Sequence, residues 1–313
     1  MTKYFCLDIG GSLIKLGIGT ADTFSQVKTV STPMSYDAFV LSVTESLISA
    51  GISAEDALGL SIAGTVDIAT GAIRAAQLPY LAEADLAADL HSALATATGG
   101  PLRKSILVEN DADCFAIAEA HLGAGRGFDN VFAIILGTGV GGAQIYRGEL
   151  IRGFGQAAGE WGHGPFVQDQ DFSSSGYVPR FACACGQAGC IDTVGGARGL
   201  EALHAAARNP SADSHQIVSG WRDGDPACSG TVETYVSIVS DALALTVNIT
   251  GAEIVPVGGG LSNAKDLIDA LDAAVRAKTL AARNAPLIVI GETGPSGGLL
   301  GIYTALQKEK GRQ

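Results

Sequence analysis

One unit of pattern occurs twice in this chain and constrains its fold more than any other feature. Residues 3–8 form an apolar run that leads into Gly10, Gly11 and Ser12, and residues 13–19 resume the apolar pattern without helix signals. That order reads as strand, glycine turn, strand. Residues 131–136 lead in the same way into Gly137, Thr138, Gly139, Val140, Gly141 and Gly142, and residues 143–146 read as a returning strand. A glycine turn between strands exposes backbone N–H groups with no side chain in the way, which suits it to cradle phosphate oxygens. Neither turn matches the strand-to-helix dinucleotide fingerprint or the Gly-x-x-x-x-Gly-Lys-Ser/Thr loop. Taken singly, such a hairpin is more often just a turn; the repetition is the informative part.

At 313 residues the chain exceeds the usual single core, so two domains are expected. Hydrophobic content of 47%, 42 glycines and only 17% charged residues argue for a well-buried α/β protein with many tight turns. The formal net charge of −12, with no Lys/Arg run, argues against nucleic acid or an anionic membrane as principal partner, since either needs a concentrated basic surface. Apolar stretches such as residues 131–136 and 254–257 are well below a membrane span. A cytoplasmic protein is expected.

Residues 159–163 read Gly159, Glu160, Trp161, Gly162, His163, and after a spacer come Cys183, Cys185 and Cys190. One imidazole and three thiolates make up a tetrahedral zinc set, and Gly186 and Gly189 let a short loop fold around a small ion. Four protein ligands leave no open position for water, so the metal would be scaffolding, holding Glu160 and Asp192 in place. The alternative is three ordinary reduced thiols and a core histidine. A disulfide reading is weaker, because Cys6, Cys114 and Cys228 are scattered singly and no secretory signal precedes Cys6.

Between the two glycine turns, an apolar segment at 105–108 leads into Glu109, Asn110 and Asp111, ahead of a helical pattern through Cys114, Ile117, Ala118 and Leu122. Asn110 or Asp111 would make a good helix N-cap; alternatively, a carboxylate at such a junction can act as a general base on a substrate hydroxyl. Residues 254–257 read as a strand leading into Gly258, Gly259 and Gly260, then a helix over 264–280. A triple glycine permits close approach of a base or ribose, although a helix-entry turn explains it almost as well. An amphipathic stretch at 299–308 follows Gly297 and Gly298 and could pack back on the first domain.

The ordered set of motifs resembles the ROK family of sugar kinases and regulators, within the actin/sugar-kinase/Hsp70 superfamily, over nearly the whole length. Its members are residues 8–15, the 63–67 turn, residues 109–112, 137–142 and 159–163, the 183–190 loop and residues 258–260. The resemblance implies a two-domain actin-like (ribonuclease H-like) α/β ATPase fold with an interdomain cleft. The expected division is a small domain over 1–109, with a C-terminal helix of about residues 297–313 packed back on it, and a large domain over 110–296 carrying the zinc loop 163–190.

By that resemblance Asp111 is the catalytic base, acting on the 6-hydroxyl of a sugar that attacks the γ-phosphate of ATP. Asp8 would position Mg²⁺ through water; Gly10, Gly11, Ser12 and Lys15, then Gly137, Thr138 and Gly139, would line the phosphate path, and Gly258, Gly259 and Gly260 the nucleotide. Phosphoryl transfer needs mostly positioning and charge neutralisation, so two amide-rich turns, a metal ion and a base suffice, with domain closure to exclude water. Gly64, Asn110, Glu160 and His163 match sugar-contacting positions, with His163 also a zinc ligand.

Three features depart from the family pattern. Asp192 stands where glutamate is usual, Gln77 where asparagine commonly contacts the sugar, and the 163–183 spacer is longer than usual. That spacer either reshapes the pocket or is a solvated insertion. The activity expected is an ATP-dependent 6-kinase of a hexose or N-acetylhexosamine, leaning toward N-acetylglucosamine or N-acetylmannosamine, with a glucokinase or fructokinase as runner-up. A sugar-sensing regulator is the alternative of another class; with Asp8 as the eighth residue, no DNA-binding domain is expected ahead of it. The resemblance also suggests a homodimer.

Overall fold

The computed structural model describes residues 2–66, 72–75, 78–82, 84–172 and 176–310. By internal contacts the chain falls into two units, Met1–His121 with Arg152–Ala157 and Pro295–Gln313, and Leu122–Ile151 with Ala158–Gly294.

The first unit is built on a five-stranded sheet in the order Phe24–Ser31, Leu13–Gly19, Tyr4–Ile9, Ala57–Ile62, Leu107–Asn110. The first three strands form an antiparallel meander and the last two run parallel to Tyr4–Ile9. Parallel neighbours need a crossover, and helices Tyr36–Ser49 and Leu86–Thr98 lie in the two connections. Every residue of Ala57–Ile62 is buried, as a strand covered on both faces requires. Leu47, Leu90 and Leu94 of the crossover helices join one core cluster, and Ile302 and Leu306 of helix Gly297–Lys310 join a second with Tyr4 and Cys6.

The second unit repeats the plan. Its sheet runs Glu149–Leu150, Val140–Tyr146, Asn130–Leu136, Val255–Gly258, Ile288–Ile290, again three antiparallel strands followed by two parallel ones. The repeated sequence pattern is thus one copy of the same first hairpin in each sheet. Helices Ala197–Ala206, Ser214–Arg222, Pro226–Thr250 and Lys265–Arg276 cover this sheet.

Helix Pro226–Thr250 was not foreseen from the sequence. It is long and apolar enough to cross a membrane, with 56% of its most apolar window buried inside the protein. Its boundaries are locally encoded: Asp225 accepts from the Cys228 N–H at 2.9 Å, Pro226 opens the helix and Gly251 closes it in the left-handed conformation. Tyr235, Val239 and Leu243 are buried at helical spacing, which marks it as the core helix of this unit.

The boundary expected after residue 109 runs through the first unit. Helix Asp111–Leu122 stays with the first sheet, and Gly301 of the C-terminal helix lies against the Cys114 backbone with no room for a side chain. The short stretch Arg152–Ala157 also groups with this unit, although its flanks belong to the other. The helix expected over 264–280 is shorter, Lys265–Arg276, because residues 260–263 form a 3₁₀ turn and the chain leaves the helix at Ala277.

Candidate active site

The first glycine turn is braced by side chains at its base. Gly10 N–H donates to the Leu13 carbonyl at 3.0 Å, closing the turn, while Thr32 donates its hydroxyl to the Gly10 carbonyl at 2.8 Å and its N–H to that of Ser12 at 3.0 Å. The N–H groups of Gly11 and Ser12 make no hydrogen bond among the described residues. At the strand end, Asp8 accepts from Lys15 Nζ at 3.0 Å and from Ser61 Oγ at 3.3 Å, and Lys15 donates also to the Pro295 carbonyl at 2.7 Å. Gly298, in the first turn of its helix, backs onto the Asp8 carboxylate so closely that any Cβ would overlap it. A carboxylate beside a helix N-terminus is stabilised by the exposed N–H groups there. Both Asp8 oxygens already accept a donor, so a cation held there would sit beyond intervening water, an arrangement Mg²⁺ tolerates because it dehydrates reluctantly.

The step from strand Leu107–Asn110 to helix Asp111–Leu122 divides two roles between neighbours. Asn110 Oδ1 accepts from the N–H groups of Ala112 at 2.7 Å and Asp113 at 3.3 Å, and its Nδ2 donates to the Gly64 carbonyl at 2.8 Å. Asn110 therefore caps the helix and ties the strand end to the loop after Ala57–Ile62. Asp111 Oδ1 shares the Ala112 N–H at 2.9 Å, and the side chain is half-buried. The Gly64 position expected at the sugar is thus engaged through its carbonyl. Gln77 lies outside the described residues, as does Asp67 of the 63–67 turn.

In the second unit His163, Cys183, Cys185 and Cys190 come together with their ligand atoms all within 4.8 Å of one another. Cys185 Sγ and Cys190 Sγ are 3.6 Å apart, and Cys183 Sγ is 3.7 Å from His163 Nδ1. A disulfide would bring sulfurs to about 2.0 Å. Ligands about 2.3 Å from a tetrahedral zinc would be separated by roughly 3.7 Å, so the donor set fits that ion in number, chemistry and spacing. Burial pushes the Cys183 thiol up to about 12, whereas hydrogen bonding from Gln187 holds Cys185 down at about 7; a divalent cation is what would make all three thiolates. With Nδ1 on the cysteine side, His163 turns Nε2 toward Glu160 Oε2, 3.7 Å away. Desolvation raises the Glu160 carboxyl, His163 opposes this and Asp192 adds to it.

Asp192 ties the cysteine loop to the second glycine turn. Its Oδ1 accepts from the Val140 N–H at 2.9 Å, in the second glycine turn, and its Oδ2 lies 3.8 Å from Cys183 Sγ. Gly139 has no room for a Cβ because Asp192 Oδ1 occupies the space. One carboxylate thus joins the cysteine loop to the turn. The turn itself closes through Gly137 N–H to the Gly139 carbonyl at 2.9 Å, and the N–H groups of Thr138 and Gly139 make no hydrogen bond among the described residues.

The long spacer is a folded hairpin, with strands Gln170–Phe172 and Gly176–Val178. Val167 and Val178 anchor it in the core, and Asp169 accepts from the Tyr177 hydroxyl and the Arg180 N–H, both at 2.9 Å. Residues 173–175 lie outside the described residues.

A cavity of about 380 Å³ opens beside the second turn, lined by Gly137 and Thr138, by Gly260, Leu261 and Asn263, and by Ser214, His215, Val218 and Arg222. The triple glycine serves it unequally. Gly259, at a φ of +86°, is required by the backbone, since a Cβ would strike Leu136 and Gly137; Gly260 has open space in front of it and faces the cavity. The wall from Ser214–Arg222 was missed in the sequence. An Asp213–Gln216 capping box fixes that helix, and Arg222 is held by Asp266 through two 2.6 Å bonds.

The family model for ROK proteins matches residues 4–309. The chain belongs to the ROK family. An N-acetylgalactosamine kinase of Shewanella sp. strain ANA-3 is 31% identical over 302 residues, covering 95% of this chain and 94% of that protein. An N-acetyl-D-glucosamine kinase of Salmonella paratyphi B is also 31% identical over 302 residues, covering 95% and 97%. Among solved structures, the ROK hexokinase of Thermus thermophilus superposes with a TM-score of 0.79 at 27% identity, covering 99% of this chain and 100% of that one. A ROK family glucokinase of Streptomyces griseus, in complex with glucose and AMPPNP, gives 0.74 at 25% identity, covering 98% and 99%. The fold of this ROK protein is accordingly the actin-like α/β ATPase fold, with its sheet plan duplicated.

Proposed function

We propose that this ROK protein is an ATP-dependent kinase that phosphorylates the 6-hydroxyl of a hexose or N-acetylhexosamine, with a 2-acetamido sugar preferred. The observation that carries the kinase reading is the division of roles at residues 110 and 111. Asn110 caps the helix through the Ala112 and Asp113 N–H groups, and the half-buried carboxylate of Asp111, on the first helical residue beside it, is the group we assign to accept the hydroxyl proton. Relatives acting on N-acetylgalactosamine and N-acetyl-D-glucosamine support the substrate class.

In this reading the unused amides of Thr138 and Gly139 receive the phosphates of ATP, and the cavity between Gly137, Gly260 and His215 receives its nucleoside. The AMPPNP bound by the Streptomyces relative supports ATP as the donor. Gly11, Ser12 and Lys15 offer N–H groups and a positive charge to the transferring phosphoryl group. Asp8 would hold Mg²⁺ through water, and that ion supplies charge neutralisation on the phosphate oxygens. Zn²⁺ on His163, Cys183, Cys185 and Cys190 supplies rigidity, fixing the direction of His163 Nε2 so that it, with Glu160 and Asn110, orients the sugar. Cytoplasmic residence and a homodimer belong to the same proposal.

The test is Asp111→Asn, which keeps shape and removes the basic oxygen. We expect kcat to fall roughly a hundredfold or more while sugar affinity, measured by calorimetry, stays within a few-fold of wild type. Near-normal turnover in that variant would overturn the assignment of the base. A panel of hexoses and 2-acetamido sugars, ranked by kcat/KM, tests the substrate class; the preference is wrong if glucose or fructose leads.

A further inference from the structure

Strand Leu107–Asn110 carries the proposed base at its end, yet it is the most weakly mounted strand of its sheet. It has four residues, lies at the sheet edge and pairs on one side only, with Ala57–Ile62. An edge strand this short is held by few ladder bonds, so the position of the two residues after Glu109 depends on other anchors. One anchor is the Asn110 bond to the Gly64 carbonyl. The second involves Arg152, to which no motif pointed. Glu109 is only 2% exposed, and its carboxylate is gripped by Arg152 in a bidentate pair, NH1 to Oε2 at 2.8 Å and NH2 to Oε1 at 2.5 Å.

The stretch that brings Arg152 there is unusual in three respects. It belongs to the first unit although its sequence neighbours on both sides belong to the second. Its backbone carries a non-glycine residue in the left-handed region, Gln156 at a φ of +59°, a conformation that costs energy and persists where surrounding contacts impose it. Those contacts are identifiable: Gln156 Oε1 accepts from Arg152 NH1 at 2.8 Å, and its Nε2 donates to the Val66 carbonyl at 3.1 Å. Between the two anchors, Phe154 stands fully in solvent, so apolar burial of that ring does not hold the stretch in place. Polar contacts hold it, and they end on Glu109, the residue before Asn110, and on the Val66 carbonyl, two residues after Gly64.

We propose that Arg152 is a positioning residue for phosphoryl transfer: its fork on Glu109, braced by Gln156, fixes the end of the edge strand and thereby the direction of the Asp111 carboxylate. This rests on the kinase reading above. A guanidinium is needed because only its planar fork fills both carboxylate oxygens at once. The surrounding groups agree with a fixed role, since the Glu109 carboxylate holds the Arg152 guanidinium further above its ordinary range.

The pair is buried on the Glu109 side, so removing one partner alone can simply unfold the protein. Two variants avoid this ambiguity. Arg152→Lys keeps the charge and loses the fork; we expect kcat to fall at least tenfold with the KM for ATP changed less than threefold. The double variant Glu109→Met with Arg152→Met removes both charges at nearly constant volume, a change that often leaves stability intact. We expect its Tm to lie within a few degrees of wild type and its kcat to stay at least tenfold down. A double variant that recovers both Tm and kcat would show that the pair only supports the fold, and the proposal would be overturned.

Amide hydrogen exchange gives a readout independent of turnover. The Ala112 and Asp113 N–H groups, which Asn110 caps, should exchange at least fivefold faster in Arg152→Lys, and unchanged protection overturns the proposal. If wild-type protein transfers phosphate to no sugar of the panel, the kinase reading fails and the exchange result alone decides whether Arg152 fixes the strand end. If wild type is active and Arg152→Lys matches it, Arg152 fails and the kinase reading stands.

Discussion

The two glycine turns share a local design and differ in what holds them. The first, at Gly10–Ser12, is braced from its own sheet: Thr32, just after the third strand, grips its carbonyl, and an ion pair between Asp8 and Lys15 sits at its base. The second, at Gly137–Gly139, has no such ion pair among the described residues. It is held by Asp192, a carboxylate at the end of the cysteine loop, and by Gly196, whose backbone presses against Thr138 and Gly139. Equivalent sequence therefore acquired separate supports. One turn is held beside an ion pair of its own sheet, and the other by a carboxylate from the cysteine loop.

That contrast can be broken experimentally. The largest effect should come from Asp8→Asn, which keeps the hydrogen-bonding shape and removes the charge: kcat should fall roughly 10²-fold, while ATP affinity, measured by calorimetry, changes less than threefold. A comparable loss of ATP affinity would mean that the two turns are not independently supported. Next is Cys190→Ser. Bound zinc, counted by elemental analysis, should drop below half of wild type, kcat should fall roughly tenfold, and amide exchange should rise at residues 138–140 while residues 10–12 keep their protection. Equal loosening of both turns would erase the distinction. The smallest is Thr32→Val, which deletes the hydroxyl on the Gly10 carbonyl at constant shape; denaturant unfolding should show a loss of about 1 kcal/mol, with no change in zinc content.

What was legible in the sequence shares one property: it is short-range. The glycine turns, the strand-to-helix step at Asn110 and Asp111 and the Cys183–Cys190 cluster each declare themselves within about ten residues, because turn geometry, capping and loop closure are local problems. Three contributors were not legible. His215 and Arg222 sit on a short helix whose pattern looks like any surface helix, and only its packing beside Gly137 and Gly260 makes it a cavity wall. Arg152 is a single arginine after a two-residue strand; the closely spaced Gly153 and Gly155 were the available sign of an irregular turn, yet nothing local names Glu109 as the partner. Asp192 was singled out for its place beside the cysteine loop, but nothing local names the Val140 N–H as its donor.

The sequence alone determined the family and the duplicated hairpins and named the candidate site residues, since these depend on residue type and on spacing along the chain. Only the tertiary structure decided which carbonyl or carboxylate each of them meets. Glu109 and Arg152 are 43 residues apart, and Val140 and Asp192 are 52 apart. Contacts of that range form when sheets and helices pack, because a buried polar group must find a partner, and local pattern does not say which one.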